Sequence, residues 1–414
     1  MTKRLWFLFL TIFIDMLGVG VLIPVIPQLL GNPESTYYLL GQGSEKLGFI
    51  LLGVLTASYP IAQFFAAPVL GALSDKYGRR PVLLLSILGT ALSYFVFAWA
   101  IIIKNIPLLI FSRIVDGITG GNITVAQAAI TDSTTPTSRS KVFGMIGAAF
   151  GLGFIFGPFI GGKLADPGLV SWFSAATPFF FSGVLAIINL TLLFFYFKET
   201  NEHIDPERTI DYLGSTKNIV RASHLGKVKI LLLVSFLFNA GFAFFGSFFN
   251  VYLSHKFNLD AGAIGNFFGY IGVCIVLTQL IVVRLTAARW HNAQILRIAY
   301  VWTGIALLLY LLPTKVWQFY LIVPFFAIPN GLQNANFNAF LTKHIEPKRR
   351  GEILGLSSSV NSLGQAVPPL FAGIIAAVFA SWVPILIAAL FVLSAGVAFR
   401  RAVPKGVSED FILT

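Results

Sequence analysis

Charge is what this chain has least of. Asp, Glu, Lys and Arg make up 11% of its 414 residues, where soluble domains carry about 25%. So few charges cannot cover a wetted surface of that size, which excludes a water-soluble globular protein. Cysteine is nearly missing too. Cys274 stands alone, which excludes an internal disulfide and a thiolate metal cluster. The five histidines, His203, His224, His255, His291 and His344, are scattered near predicted helix ends and loops, as solvated residues are. No Walker loop is present, so ATP is not expected as the driving force. Gly151-Leu152-Gly153 has neither the preceding strand nor the spacing of a dinucleotide fingerprint. No nucleophile–base or metal-ligand pattern stands out. The chain is expected to be no enzyme and to carry no cofactor.

What is present is apolar length. Mean hydropathy is +0.81 and 56% of residues are apolar. A spanning helix needs roughly 20 apolar residues. Twelve runs meet that need: 5–29, 47–70, 82–103, 107–130, 141–164, 177–197, 228–253, 261–283, 293–313, 317–341, 352–378 and 381–399. Lipid offers no partner to open backbone groups, so such runs must be helical. A transmembrane barrel would instead alternate over short segments. The expected fold is an all-α membrane protein of twelve transmembrane helices in two pseudo-symmetric six-helix bundles. Lys3 and Arg4 precede the first run, but no small-residue cleavage site follows it and Asp15 interrupts it. It therefore reads as a retained helix rather than a signal peptide.

The net charge of +12 is not laid out as a nucleic-acid surface. With successive loops assigned to alternate sides, 23 Lys and Arg residues share a side with the termini and 5 lie opposite, Arg113 being within a helix. That asymmetry places both termini in the cytoplasm. The longest polar stretch, 198–227, divides the runs six and six. Expected domains are an N-terminal bundle over 1–197, a cytoplasmic linker over 198–227 and a C-terminal bundle over 228–414. A repeat at offset 211 supports the cut: Gly120 with Gly331, Arg139 with Arg350, Gly144 with Gly355, Gly153 with Gly364, Pro158 with Pro369, and Gly162 with Gly373. Two repeats with a site between them near the midplane are the plan of alternating-access transporters.

Three ionisable residues lie inside the helical runs: Asp15, Arg113 and Asp116. Each costs about 2.5–3.5 kcal/mol at the bilayer centre on insertion scales, so each needs a reason. Arg113 and Asp116 are three apart and share a helix face. One reading is a neutral, paired strut. The other is proton coupling. Burial disfavours a charged carboxylate, so Asp15 and Asp116 are candidates to load and release a proton, with Arg113 tuning them. Asp15 is favoured slightly, having no local counter-charge. Uncharged polar residues gather in the second half: Asn239, Asn250, Gln279, Asn330, Gln333, Asn334, Asn336, Asn338, Asn361 and Gln365. Interhelical hydrogen bonding, at about 0.6 kcal/mol each, is one account. The other is a substrate cavity drawing on Asn239, Gln279, Asn330, Gln333, Asn334, Asn361 and Gln365 with Phe242, Phe245 and Phe337, aromatic walls carrying a few polar anchors. The fifth run holds Gly144, Gly147, Gly151, Gly153, Gly157, Gly161 and Gly162 around Pro158, which suits close helix packing. Between the second and third runs lies Gly71-Ala-Leu-Ser-Asp75-Lys-Tyr-Gly78-Arg79-Arg80-Pro81, a tight charged turn able to make and break ion pairs as helices rock.

These motifs resemble the major facilitator superfamily, in particular its twelve-helix drug/proton antiporter branch. Gly71-x-x-x-Asp75-x-x-Gly78-Arg79-Arg80 is similar to the family's loop 2–3 signature. Arg113-x-x-Asp116-Gly117 is similar to its helix-four signature, and Gly153-x-x-x-Gly157-Pro158-x-x-Gly161-Gly162 to its helix-five antiporter signature. The segment from Asp15 through Gly18, Gly20 and Pro24 to Pro27, and the run from Arg113 to Asp132, resemble tetracycline antiporters. The resemblance covers nearly all of 5–200; the second half joins mainly through Lys348-Arg349-Arg350-Gly351 and Gly355. It implies a gate made of Gly71, Asp75, Gly78, Arg79, Arg80 and Asp132, in which Arg79 pairs with Asp132 and Asp75 faces the N-terminus of helix eleven. The chain departs from the pattern by placing an acid, Asp116, where the family usually has a neutral residue. It also has no acid in helices seven to ten, and no acid or glycine in the second-half loop from Arg284 to His291. The function implied is proton-coupled export of small amphipathic compounds across a bacterial inner membrane, with uptake symport and a non-transporting receptor as alternatives. Expected partners are a small-molecule substrate, protons and the lipid bilayer, with no nucleic acid, and the chain is expected to act as a monomer.

Overall fold

The structure is a computed structural model describing residues 3–134, 149, 151–153, 155–202, 204–207, 209–226, 228–287, 289–345 and 350–403, with the backbone alone at 3, 4, 287, 334, 335, 338, 342, 343 and 350–352. Arg139, Gly144, Gly147, Lys348 and Arg349 lie outside the described residues. Every expected run is mostly helical where described, with breaks inside the runs such as those at 120–121 and 367. In chain order the helices are α1 (Lys3–Ile26), α2 (Glu45–Tyr77), α3 (Arg79–Ile102), α4 (Ile106–Thr119), α5 (Asn122–Asp132) and α6 (Gly151–Leu164). Then come α7 (Thr177–Tyr196), α8 (Gly214–Ser223), α9 (Val228–Phe257), α10 (Ala261–Leu277), α11 (Val283–Ala287) and α12 (Asn292–Leu309). The last are α13 (Val316–Lys343), α14 (Arg350–Ala366), α15 (Pro368–Val378) and α16 (Val383–Ala402). Among the described residues, ten stretches are long and apolar enough to cross a membrane. α6 and α13 occupy the other two expected runs.

The interruptions follow residue chemistry. Proline has no N–H to give to a helix, and α1 continues past Ile26 as a wider turn over Pro27–Gly31. A single residue, Gly78, separates α2 from α3, at φ 98° and ψ 155°. Such a conformation is open to glycine and strained for other residues. α4 is capped by Asn105, whose Oδ1 accepts the Leu108 N–H at 2.9 Å, meeting an otherwise unmet donor. α4 and α5 form one broken span, Ile106–Asp132.

The chain divides into two compact units, Met1–Gly214 with Asn258–Gly272, and Ser215–Phe257 with Val273–Thr414. In the first, α1, α3, α5 and α7 meet around Leu8, Ile12, Leu83, Ile87, Val125, Ile130 and Leu193. Glycines bring α6 against α1 and the start of α10. A Cβ on Gly157 would stand 2.7 Å from Gly20 Cα, and one on Gly162 would stand 2.4 Å from the Ala261 carbonyl oxygen. In the second, α9, α12 and α13 close on aromatic rings. Phe245 stacks on Phe249 at 4.5 Å, and Tyr310 and Phe326 lie within 5.5 Å and 5.2 Å of Phe245.

Candidate functional site

Five helices of the first unit bring a polar cluster together in an apolar interior, with all its members buried except the half-buried Tyr59 and Gln63. α1 supplies Asp15, α2 Tyr59 and Gln63, α3 Thr90, Ser93 and Tyr94, α4 Arg113 and Asp116, and α5 Asn122. Arg113 and Asp116, one helical turn apart, form a buried ion pair. The Arg113 guanidinium also sits 4.7 Å from the centre of the Tyr59 ring, a cation–π contact that stabilises a desolvated cation. On α3, Ser93 Oγ donates to the Thr90 carbonyl at 2.7 Å, and Thr90 Oγ1 pairs with Thr119 Oγ1 at 2.8 Å. Gln63 bonds the Tyr59 hydroxyl at 3.1 Å and donates to the Gly120 carbonyl at 2.8 Å. Gly18 admits the Tyr94 hydroxyl, which would lie 1.9 Å from any Cβ there.

Asp15 is placed differently. It is 6% exposed, and no ion pair reaches it among the described residues. Its polar neighbour is Asn122. Asp15 Oδ2 and both polar atoms of the Asn122 amide are buried with no hydrogen-bond partner. The cluster therefore holds two acids and one base. Asp116 has Arg113; Asp15 has an amide.

At one end of α2, α3 and α5 the charged turn forms an ion triad. Arg79 Nη1 reaches Asp75 Oδ1 at 2.6 Å, and its Nε reaches Asp132 Oδ2 at 3.0 Å. Arg80 instead donates to the Phe194 carbonyl at 2.7 Å and lies over the Phe194 ring. Gly71 is roomy, its nearest neighbour to a Cβ being a Thr124 methyl at 3.7 Å. Gly78 is not, since a Cβ there would stand 2.5 Å from Glu199 Oε2. Partial burial pushes the Glu199 carboxyl up, but backbone N–H donors from Asn201, Arg80, Arg79 and Thr200 outweigh it and hold the group below the usual carboxylate range. On α6, Gly153, Gly157 and Gly161 pack on α1 backbone, and Pro158 touches Gly20.

The polar residues of the second unit separate into two sets. Asn361 Oδ1 accepts from Ser235 Oγ at 2.6 Å and from Asn239 Nδ2 at 3.2 Å, and Gln365 Nε2 lies 3.5 Å from Asn239 Oδ1. This ladder joins α9 to α14, with Phe242 beside it at 40% exposure. Gly246 and Gly355 open onto free space. By contrast Gln333, which donates to the Tyr300 hydroxyl at 3.1 Å, is buried with Asn330, Phe245 and Phe337. Gln279, exposed, bonds the Gly331 carbonyl. The Asn334 and Asn338 side chains lie outside the described residues.

Sequence reasoning missed Tyr59, Gln63, Tyr94, Asn122 and Glu199. Gln63 and Asn122 are polar residues in apolar runs and carried a signal. The tyrosines carried none, because aromatic residues are common throughout this chain.

The Major Facilitator Superfamily matches residues 8–252 and 231–410. The chain belongs to that superfamily. This facilitator is 29% identical to the tetracycline resistance protein, class H, of Pasteurella multocida, over 98% of the chain and 99% of the relative. It is 30% identical to the class D tetracycline resistance protein of Salmonella ordonez, over 87% and 86%. Its fold matches the crystal structure of a D-xylose-proton symporter with a TM-score of 0.75 at 17% identity, covering 98% of this chain and 100% of that one. These proteins are transporters, and this facilitator is a multi-pass membrane transporter rather than an enzyme.

Proposed function

We propose that this facilitator exports small amphipathic compounds in exchange for protons, by alternating access between its two halves. The observation that carries the reading is the charge count of the buried cluster, two acids to one base. With Arg113 committed to Asp116, full ionisation would leave one negative charge uncompensated in the interior, which costs several kcal/mol. The cluster is neutral when it holds one proton. Asp15, without a cation, is the site of that proton, and Asp116 with Arg113 fixes the field around it. Loading and release change the buried charge by one unit, which is the differential free energy a two-state transporter needs.

The substrate is received by the half-exposed wall of the second unit. Asn239, Asn361 and Gln365 present amide groups beside the Phe242 ring, which suits an aromatic compound with hydrogen-bonding groups. The names of the class H and class D relatives support export of an antibiotic-like compound. The ion triad of Asp75, Arg79 and Asp132 acts as the gate on the cytoplasmic face, and the excess of basic residues there orients both termini inward in a bacterial inner membrane.

The test uses proteoliposomes with an imposed proton gradient, following dye or antibiotic movement and internal pH together. Substrate-triggered proton release is expected from the native chain and not from Asp15→Asn. Full proton-driven accumulation by both Asp15→Asn and Asp116→Asn would end this reading.

A further inference from the structure

We infer that Glu199 is a positioning residue of the ion triad, clamping the end of α2 and the start of α3 so that Arg79 reaches both of its acids. Every α-helix leaves unmet N–H groups at its start and unmet carbonyls at its end. α2 and α3 meet at the single residue Gly78, which has no side chain to cap either. The chain supplies the caps from 120 residues away. Glu199 Oε1 accepts the Arg79 N–H at 2.9 Å, and Oε2 accepts the Arg80 N–H at 3.0 Å. A carboxylate at a helix N-terminus is also favoured by the helix dipole. The same Oε1 accepts the Thr200 and Asn201 N–H groups at 2.9 Å each. These bonds fold residues 199–201 around the carboxylate.

The next residues complete the clamp from the other side. The Asp75 carbonyl, in the last turn of α2, accepts the Asp205 N–H at 3.1 Å and the Asn201 amide at 3.4 Å. Glu199, Asn201 and Asp205 thus tie together the N–H groups of α3 and a terminal carbonyl of α2. Between those two ends stands Arg79, whose backbone is held by Glu199 and whose side chain spans Asp75 and Asp132. Gly78 has a second reason to be glycine, since the Glu199 carboxylate occupies the space of a Cβ. The part of the polar stretch that follows α7 is therefore a structural member of the gate. The transport consequence of this proposal rests on the gate reading above; its geometry does not.

The first experiment is amide hydrogen exchange on the full-length chain in detergent. Exchange at Arg79 and Arg80 should rise at least tenfold in Glu199→Ala, and less in Glu199→Gln, which keeps one acceptor oxygen. The second is a double-mutant cycle of Glu199→Gln with Asp132→Asn, read as thermal unfolding temperature. A positioning role predicts strong non-additivity, because both changes act through Arg79. Unchanged exchange, or additive shifts in the cycle, would overturn the assignment. In proteoliposomes Glu199→Gln should lower maximal transport rate about fivefold at unchanged substrate affinity, with no further loss on an Arg79→Ala background. If Arg79→Ala itself transports at the native rate, the gate reading fails while exchange and the cycle still decide the clamp.

Discussion

Arg113 is the residue on which the buried cluster turns. Removing one partner of a buried ion pair leaves an uncompensated charge and costs about 3–5 kcal/mol. Asp116→Asn should therefore lower the unfolding temperature of the detergent-solubilised chain markedly, and adding Arg113→Gln should recover most of the loss. Asp15→Asn, which strands no cation, should unfold near the native temperature while losing proton coupling, so stability and transport separate the two acids. Glu199 gives a prediction in pH. Its carboxyl is held below the usual range in the folded chain. The stability it contributes is therefore complete above the unfolded carboxylate value and is lost as pH falls through the folded one. Glu199→Gln should unfold earlier than the native chain at neutral pH, and the gap should close in acid. Asp15, Arg113 and Asp116 were legible in the sequence because a charge in an apolar run is expensive wherever it packs. Which acid had a cation was half legible. The three-residue spacing suggested the Arg113–Asp116 pair, but the isolation of Asp15 beside Asn122 is a contact between α1 and α5 that no local pattern encodes.

Among the helices and turns, glycine positions that look equivalent in sequence are physically unequal. Gly71 and Gly78 both belong to the charged-turn signature. Gly71 has free space and Gly78 has both a left-handed φ of 98° and the Glu199 carboxylate against it. Gly71→Ala should transport at close to the native rate. Gly78→Ala should cost about 1–3 kcal/mol in backbone strain and disturb the turn, read as a lower unfolding temperature and faster exchange at Arg79. The glycines of α6 are contact glycines. Gly157→Leu would drive a side chain into Gly20 Cα and the Leu17 carbonyl, and overpacking of this kind costs typically 1–3 kcal/mol. The helices themselves were legible because apolar runs of that length admit no other backbone in lipid. The reach of Glu199, Asn201 and Asp205 back to α2 and α3 was not. A polar stretch after a helix looks like any linker until the tertiary contacts appear.

At the scale of the whole molecule, one surplus acid in the cluster sets an expected exchange of one proton per transport cycle. Paired measurement of substrate and proton fluxes in proteoliposomes checks it, and the ratio should fall toward zero in Asp15→Asn. The chemistry is also divided between the units. The membrane-embedded charges Asp15, Arg113 and Asp116 lie in the first, whereas the exposed wall of the second offers amides and a ring. The amino-acid sequence by itself determined the class of molecule, the place of its apolar helices, and the family, because hydropathy over 20-residue windows and signature turns are properties of contiguous chain. Tertiary structure alone decided the rest: Arg79 joined to Asp75 as well as to the Asp132 that the resemblance implied, Asp15 left beside an amide, Glu199 set across a turn, and Asn239, Asn361 and Gln365 linked as a ladder. Each depends on which helix faces pack together, and that is set by the sum of many weak contacts spread over the fold.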